Sequence, residues 1–357
     1  MASASYNVLI LGASYGSLLA TKLSLAGHNA TLVCLPEEAE LINAEGTRVR
    51  MPVKGREGLV EIDSRNLPGK LNAATTDQVD PADYDLMALA MQEPQYRADG
   101  PRGLLAAAAK AKVPCLSIMN MPPKTFLARI PGLDTEALRE CYTDASIWDA
   151  LDPSLMTLVS PDPQAFRPPE ESLNVLQVSL PTNFKAAPFE SEQHTRMLRD
   201  IEASIDAIRF DTEDGKVELP VKLRVHDSLY VPLAKWAMLL TGNYRCVGPD
   251  SVRPIREAVH GDVETSRKVF DWVCNLCVEL GAAPEDLVPF EKYANAAKGL
   301  AKPSSVARAL DAGARDVERV DKLIHILAKQ RGLQLAEVDE IVATVDARLR
   351  ANRAGTA

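Results

Sequence analysis

The chain has 357 residues, 46% hydrophobic and 25% charged, a length for about two domains and a composition that excludes intrinsic disorder, collagen-like repeats and a disulfide-stapled miniprotein. Forty Lys and Arg against 49 Asp and Glu leave a net charge of -9, the wrong sign for a nucleic-acid partner. Charges interrupt each apolar stretch before the roughly 20 residues a membrane span needs, and the opening MASASYNVLILG runs into a strand and turn rather than a cleavage site. The sequence therefore reads as cytoplasmic, with neither membrane nor nucleic acid as partner. Without a secretion signal, Cys34, Cys115, Cys141, Cys246, Cys274 and Cys277 read as reduced thiols. Cys274 and Cys277 fall within the helical pattern VFDWVCNLCVEL, where a redox or metal motif would need a turn or a second ligand pair, so they read as a buried helix face and no metal site is predicted.

In chain order, Val8 to Leu11 is a continuous apolar strand ending at Gly12. A helical pattern follows with Leu19, Leu23 and Ala26 on one face, stopped by Gly27, and Ala30 to Val33 is a second strand. Asp85 to Met91 and Pro114 to Met119 are further apolar runs, separated by the helix-forming GLLAAAAKAK. This alternation predicts a parallel sheet with right-handed crossovers. A strand in ESLNVLQVSLP and an amphipathic helix over Ser191 to Ile208 complete the first domain. Beyond a polar stretch at Asp211 to Pro220, helical patterning covers Leu229 to Leu240, Pro254 to Leu280, Ser304 to Leu310, Asp316 to Arg331 and Leu335 to Ala351. The predicted fold class is α/β: an N-terminal Rossmann-like parallel-sheet domain over 1–215 followed by an all-helical domain over 216–357.

GASYG, between a strand and a helix, occupies the place where a dinucleotide pyrophosphate meets exposed N–H groups at a positive helix end. Gly12, Ala13, Ser14, Tyr15, Gly16 and Ser17 are the candidate cofactor cradle. A complete G-x-G-x-x-G would have glycine at 14 and 17, so a tight turn without nucleotide affinity is the competing reading. After the second strand, where an acid normally meets the ribose 2′-OH or an Arg the 2′-phosphate, stand Cys34 and Leu35. Pro36, Glu37 and Glu38 then read as a helix start. Farther on, Lys235 is the lone charge in LYVPLAKWAMLL, and Asn243 lies a little over two turns along roughly the same face. A desolvated ammonium there would protonate a carbonyl oxygen as hydride arrives; a snorkelling lysine is the alternative.

With these residues placed, the chain resembles the ketopantoate reductase (2-dehydropantoate 2-reductase) family over most of its length. GSLLATKLSLAGHNATLV looks like the family's first helix and second strand, LSIMNMPP like the strand ending in an Asn-Gly turn, LAKWAMLLTGN like the lysine-bearing helix, and KPSSVARALDAGARDVERVDKLIHILAKQRGL like the serine segment and terminal helices. The resemblance implies an NAD(P)-dependent oxidoreductase reducing a small 2-oxo acid or related carbonyl in an interdomain cleft, with a homodimer as its assembly. It makes Lys235 the general acid and Asn243 a substrate hydrogen-bonder. It sets Asn120 between nicotinamide and substrate, Gln92 near the cofactor, Ser304 or Ser305 on the substrate, and Asp316 or Glu318 at the family's acidic position.

The chain also departs from the family. Leu239 stands where a second substrate-binding Asn is usual, Leu35 replaces the Arg that grips the 2′-phosphate, Gln92 replaces a Lys, NMPP replaces the Asn-Gly turn, and the glycine loop is one residue short. The expectation is a divergent member that binds NAD or NADP, with NADH at least as good as NADPH. Two other classes compete: an opine-type dehydrogenase using His226 and Asp227, and a repurposed Rossmann protein that binds another ligand or none.

Overall fold

The computed structural model describes residues 4–213 and 215–355. They divide into two units. The first comprises the described residues up to Met91, together with Gln95–Met119 and Ile147–Asp227; the second comprises Gln92–Pro94, Asn120–Ser146 and the described residues from Ser228 onward.

The first unit is built on the strands β1 (Asn7–Leu11), β2 (Asn29–Val33), β3 (Arg48–Pro52), β4 (Leu59–Asp63), β5 (Leu71–Ala74), β6 (Leu86–Leu89), β7 (Cys115–Ile118), β8 (Met156–Ser160), β9 (Gln164–Phe166), β10 (Val175–Leu180), β11 (Phe184–Ala186), β12 (Phe210–Thr212), β13 (Gly215–Val217) and β14 (Leu223–Val225). Its main sheet has the order β14-β11-β8-β7-β6-β1-β2-β5, parallel from β5 to β8, with β11 antiparallel to β8. Val8 pairs with Ala30 on one side and Leu86 on the other, so β1 is central and its apolar run is buried on both faces, as a parallel sheet covered by helices requires. The order reverses between β1 and β6, the topological switch point of a doubly wound sheet.

Around this sheet lie α1 (Ala13–Leu25), α2 (Pro36–Glu45), α3 (Asp99–Ala111) and α5 (Glu192–Asp206). Helix α1 buries Leu18, Leu19 and Leu23 and ends before Gly27, which has φ +87°. It also buries Lys22, whose Nζ donates to the Pro220 carbonyl oxygen at 2.9 Å and whose pKa burial pushes down to about 7.

The strand expected in ESLNVLQVSLP is β10, in a second sheet ordered β4-β3-β10-β9 that shares the core around α1. The polar stretch at Asp211 to Pro220 is largely the hairpin β12-β13, and the chain then returns to the main sheet as β14.

The second unit is helical: α4 (Lys124–Leu127), α6 (Lys235–Met238), α7 (Ile255–His260), α8 (Val263–Leu280), α9 (Phe290–Ala297), α10 (Ser305–Asp311), α11 (Val320–Gln330) and α12 (Ala336–Ala354). The pattern over Pro254 to Leu280 resolves into two helices, because Asp262 leaves helical geometry to cap α8, its side chain accepting from the Thr265 N–H at 2.9 Å. Leu229 to Leu240 is likewise no single helix. A 3₁₀ turn (Val231–Ala234) containing Pro232 leads into α6, and a π turn (Leu239–Asn243) follows. The Met238 carbonyl beside that π turn accepts from the Tyr293 hydroxyl at 3.1 Å. Cys274 and Cys277 lie on α8, and burial pushes both thiols up, Cys274 to about 11, so neither is a thiolate. Among the described residues no helix is long and apolar enough to cross a membrane.

Candidate active site

Two sites emerge, one in each unit. At the carboxyl end of β1, Gly12 adopts φ +102°, and a Cβ there would stand 2.9 Å from the Ala90 carbonyl oxygen and 2.5 Å from Met91 Cγ. Glycine is thus required for β1 to turn into α1 against the end of β6. At Gly16 a Cβ would meet Ile10 Cγ2 at 2.7 Å, so this glycine lets α1 seat directly on β1. These are the turn and packing tasks of a dinucleotide fingerprint; the position between them is Ser14, exposed on the first turn. No side chain caps α1, a helix of 13 residues, so its first-turn N–H groups form an uncompensated positive end at the switch point.

The other predicted cradle side chains are committed elsewhere. Ala13 is buried, the Tyr15 hydroxyl donates to the Pro163 carbonyl oxygen at 2.7 Å, and Ser17 Oγ donates to the Ser14 carbonyl oxygen at 2.9 Å. The residues present fit a pyrophosphate held by backbone N–H groups and the Ser14 hydroxyl.

At the end of β2, Leu35 is 75% exposed and opens α2, with Pro36 at the helix start and Glu37 and Glu38 in the first turn. Cys34 beside it is half-buried, its thiol pushed up to about 12, first by burial and then by Glu38, with Arg167 opposing. Glu38 is ion-paired with Arg167, which follows β9.

The second site is a small pocket in the helical unit, with a cavity of about 20 Å³. Gln92, Asn120, Asn243, Tyr244, Ser305 and Glu318 supply its polar wall, and Leu239, Val306, Val317 and Val320 its apolar wall. Five short stretches of chain meet here. Tyr244 joins two of them, its hydroxyl donating to the Glu318 carbonyl oxygen at 2.5 Å and accepting from the Val320 N–H at 3.0 Å.

Glu318 is the electrostatic centre of this wall. Burial, with help from the Glu93 charge, raises its carboxyl from 4.5 to about 7, although the backbone N–H groups of Glu93 and Met121 and the Asn120 amide donate to it. The Glu93 carboxylate, itself buried, is bonded to Thr143, accepting from its N–H at 3.1 Å and its hydroxyl at 2.9 Å. The Asn120 amide oxygen is buried with no partner among the described residues. An orphaned acceptor costs about 1–3 kcal/mol, and a donor group on a bound ligand would relieve it.

The members of the two ambiguous pairs lie in different surroundings. Ser305 is exposed in the pocket wall, whereas Ser304 is buried, caps α10 through the Ala307 N–H at 3.2 Å and donates to the Asn243 carbonyl oxygen at 2.7 Å. Glu318 lines the pocket, whereas Asp316 pairs with Arg353 at 3.0 Å. Lys235 is half-buried at the start of α6, one turn before the wall residue Leu239. Asp227 is ion-paired with Arg199 in the first unit. Sequence reasoning missed Tyr244, Glu93 and Thr143. A tyrosine directly after the predicted Asn243 carried a faint signal; the clasp between Glu93 and Thr143, 50 residues apart, carried none.

No family profile and no curated protein sequence matches the chain. Solved structures match it at low identity over nearly its whole length. A D-mandelate dehydrogenase solved with NADH and anilino(oxo)acetate is 14% identical, with 97% of this chain and 99% of that one covered and a TM-score of 0.63. A ketopantoate reductase from Ralstonia eutropha JMP134 is 16% identical, with coverages of 97% and 99% and a TM-score of 0.60. A dimeric ketopantoate reductase from Staphylococcus aureus is 11% identical, with coverages of 97% and 99% and a TM-score of 0.57. The chain has the fold of these enzymes, the Rossmann-like sheet followed by a helical unit that its sequence implied.

Proposed function

We propose that the protein is a nicotinamide-dependent oxidoreductase that reduces a small 2-oxo acid or related carbonyl, using NAD or NADP with NADH at least as effective as NADPH, and that it works as a homodimer. The observation that carries this reading is the pocket of the helical unit. It gathers Asn120, Asn243, Ser305 and Glu318; Lys235 stands one turn before the wall residue Leu239 and is not itself in the lining. The chain shares its fold end to end with a D-mandelate dehydrogenase and a ketopantoate reductase. A dinucleotide suits the first unit through the uncapped α1 and Ser14.

When bound, a reduced nicotinamide supplies hydride to the carbonyl carbon. The chain's own residues do the rest. Lys235 gives a proton from its ammonium to the carbonyl oxygen as the new C–H bond forms, so one hydride and one proton convert ketone to alcohol, and water then reprotonates the amine. Asn243 and Ser305 donate hydrogen bonds to the carboxylate, and the orphaned Asn120 oxygen accepts from a ligand N–H or O–H. Glu318, neutral below about pH 7, adds a donor and spares the site a charge that would repel an anionic substrate. The proposal requires a nicotinamide bound through the first unit to reach this pocket. An opine-type site is less well supported, since Asp227 is spent on Arg199.

The test is Lys235→Ala. It should fold, bind NADH as the wild type does by calorimetry, and lose at least about 100-fold in kcat, the scale of a deleted general acid. Retained turnover refutes the assignment. Absence of dinucleotide binding to the wild type at millimolar concentration refutes the whole reading in favour of a repurposed Rossmann protein.

A further inference from the structure

We infer that Glu93 is a positioning residue for Glu318: clasped on Thr143 through its own carboxylate, it fixes the N–H that Glu318 Oε1 accepts and keeps the proton of the two carboxyls on Glu318. The inference rests on the pocket reading above and accounts for the donor that reading asks of Glu318. Glu93 directly follows the wall residue Gln92 and is 1% exposed. Glutamate is almost never buried so completely unless paired, and a neutral amide would hold a loop as well.

Thr143 meets both carboxylate oxygens. Its N–H donates to Oε1 at 3.1 Å and to Oε2 at 3.2 Å, and its hydroxyl donates to Oε2 at 2.9 Å. Donors on both oxygens favour the ionised form, which accepts at each. Thr143 is held in its turn, since the preceding Tyr142 donates its hydroxyl to the Pro122 carbonyl oxygen at 2.7 Å, just beyond Asn120. The backbone of the same glutamate closes the link, its N–H donating to Glu318 Oε1 at 3.3 Å. One residue thus presents a side-chain charge and a main-chain donor, and the few bonds between them limit where the Glu318 carboxyl can sit. A second negative charge buried beside the first is disfavoured, so of the two it is Glu318 that keeps the proton. The other groups around Glu318 do not supply this effect. Tyr244 donates to its carbonyl oxygen, and Arg319, next in the chain, is committed to Asp321 at 2.9 Å and Asp346 at 2.6 Å. Lys235, one turn before Leu239, carries the charge that would favour an ionised Glu318 instead.

Infrared difference spectra of the full-length protein from pH 4.5 to 9 report the Glu318 carboxyl directly, its C=O band identified by its loss in Glu318→Gln. In the wild type this band should titrate with a midpoint near 7. In Glu93→Gln, which keeps the clasp but not the charge, the midpoint should fall by about one pH unit, a tenfold change in proton affinity, and the pH at which KM for an anionic 2-oxo acid rises should fall with it. Glu93→Asp keeps the charge on a shorter arm, so it should hold the midpoint near the wild-type value while raising KM; it serves if Glu93→Gln does not fold, an unaltered KM then refuting the positioning role. An unmoved band in Glu93→Gln with a lowered melting temperature would make the clasp purely structural, and equal displacement in both variants would tie the effect to shape rather than charge. Either result overturns the assignment, as does a wild-type carboxyl ionised throughout. A band that moves as expected in a protein that binds neither NADH nor NADPH supports the clasp and refutes the reductase reading alone.

Discussion

Replacing Glu318 with Gln tests whether a buried, neutral carboxyl lines the pocket. The native side chain is displaced from 4.5 to about 7, chiefly by burial. Between those values the folded protein keeps a proton that the unfolded chain has released. This contribution to stability is therefore complete below pH 4.5 and drains away as pH rises through 7. At roughly 1.4 kcal/mol per pH unit the loss reaches about 3 kcal/mol. Gln holds no titrating proton, and it can be accommodated: rotation of the Asn120 amide would let its orphaned oxygen accept from the new Nε2. Melting curves of both proteins from pH 4.5 to 8 should diverge upward, with the variant gaining about 6–12 °C on the wild type across that window, at the roughly 2–4 °C per kcal/mol expected for a unit of this size. In the same interval the wild-type KM for an anionic 2-oxo acid should rise and the variant's should not. Parallel melting curves would mean that Glu318 is already ionised in the folded state, and the argument for a neutral donor in the pocket would fail.

Two further substitutions follow from the geometry. Ser304→Ala removes a cap and the bond to the Asn243 carbonyl, so it should cost about 1 kcal/mol in thermal or urea unfolding with KM little changed, whereas Ser305→Ala should leave stability intact and raise KM; the reverse pattern would exchange their roles. Lys22, lowered from 10.5 to about 7 by burial and by Lys222, against the opposing pull of Asp206 and Glu218, binds fewer protons folded than unfolded between those values, so stability should rise over pH 7 to 10.5. Lys22→Met should be several kcal/mol more stable than wild type at neutral pH and flat across that range; urea midpoints that rise with pH equally in both proteins would show that the dependence belongs to another group.

The parts of this structure legible in sequence are those set by local pattern. Apolar runs such as Val8 to Leu11 mark strands buried on both faces, and Gly12 marks a turn where any Cβ would clash with Ala90 and Met91. Periodicity loses its hold where long-range pairing decides. Ser304 and Ser305, or Asp316 and Glu318, are equivalent in a one-dimensional pattern, yet a cap and an ion pair claim one of each while the pocket receives the other. Pro232 and the π turn at Leu239 to Asn243 break a helix that apolar spacing alone would continue, and the π turn reorients Asn243 relative to Lys235. The pairing of Glu38 with Arg167 depends on a second sheet whose strands read like any others.

The helical unit is stitched from three separated stretches of chain, and the pocket draws Gln92 and Asn120 from the two early ones. During synthesis those two residues emerge more than a hundred positions before Lys235 and must wait for the rest of their wall. A fragment starting at Ser228 would possess every long helix of this unit and lack two of the pocket's three side-chain amides. For the same reason, no single recombination crossover can exchange this unit between relatives. A chimera that exchanges the whole unit must carry five junctions, flanking 92–94 and 120–146 and preceding 228, and inheritance of substrate preference should follow that mosaic rather than the carboxyl-terminal half alone.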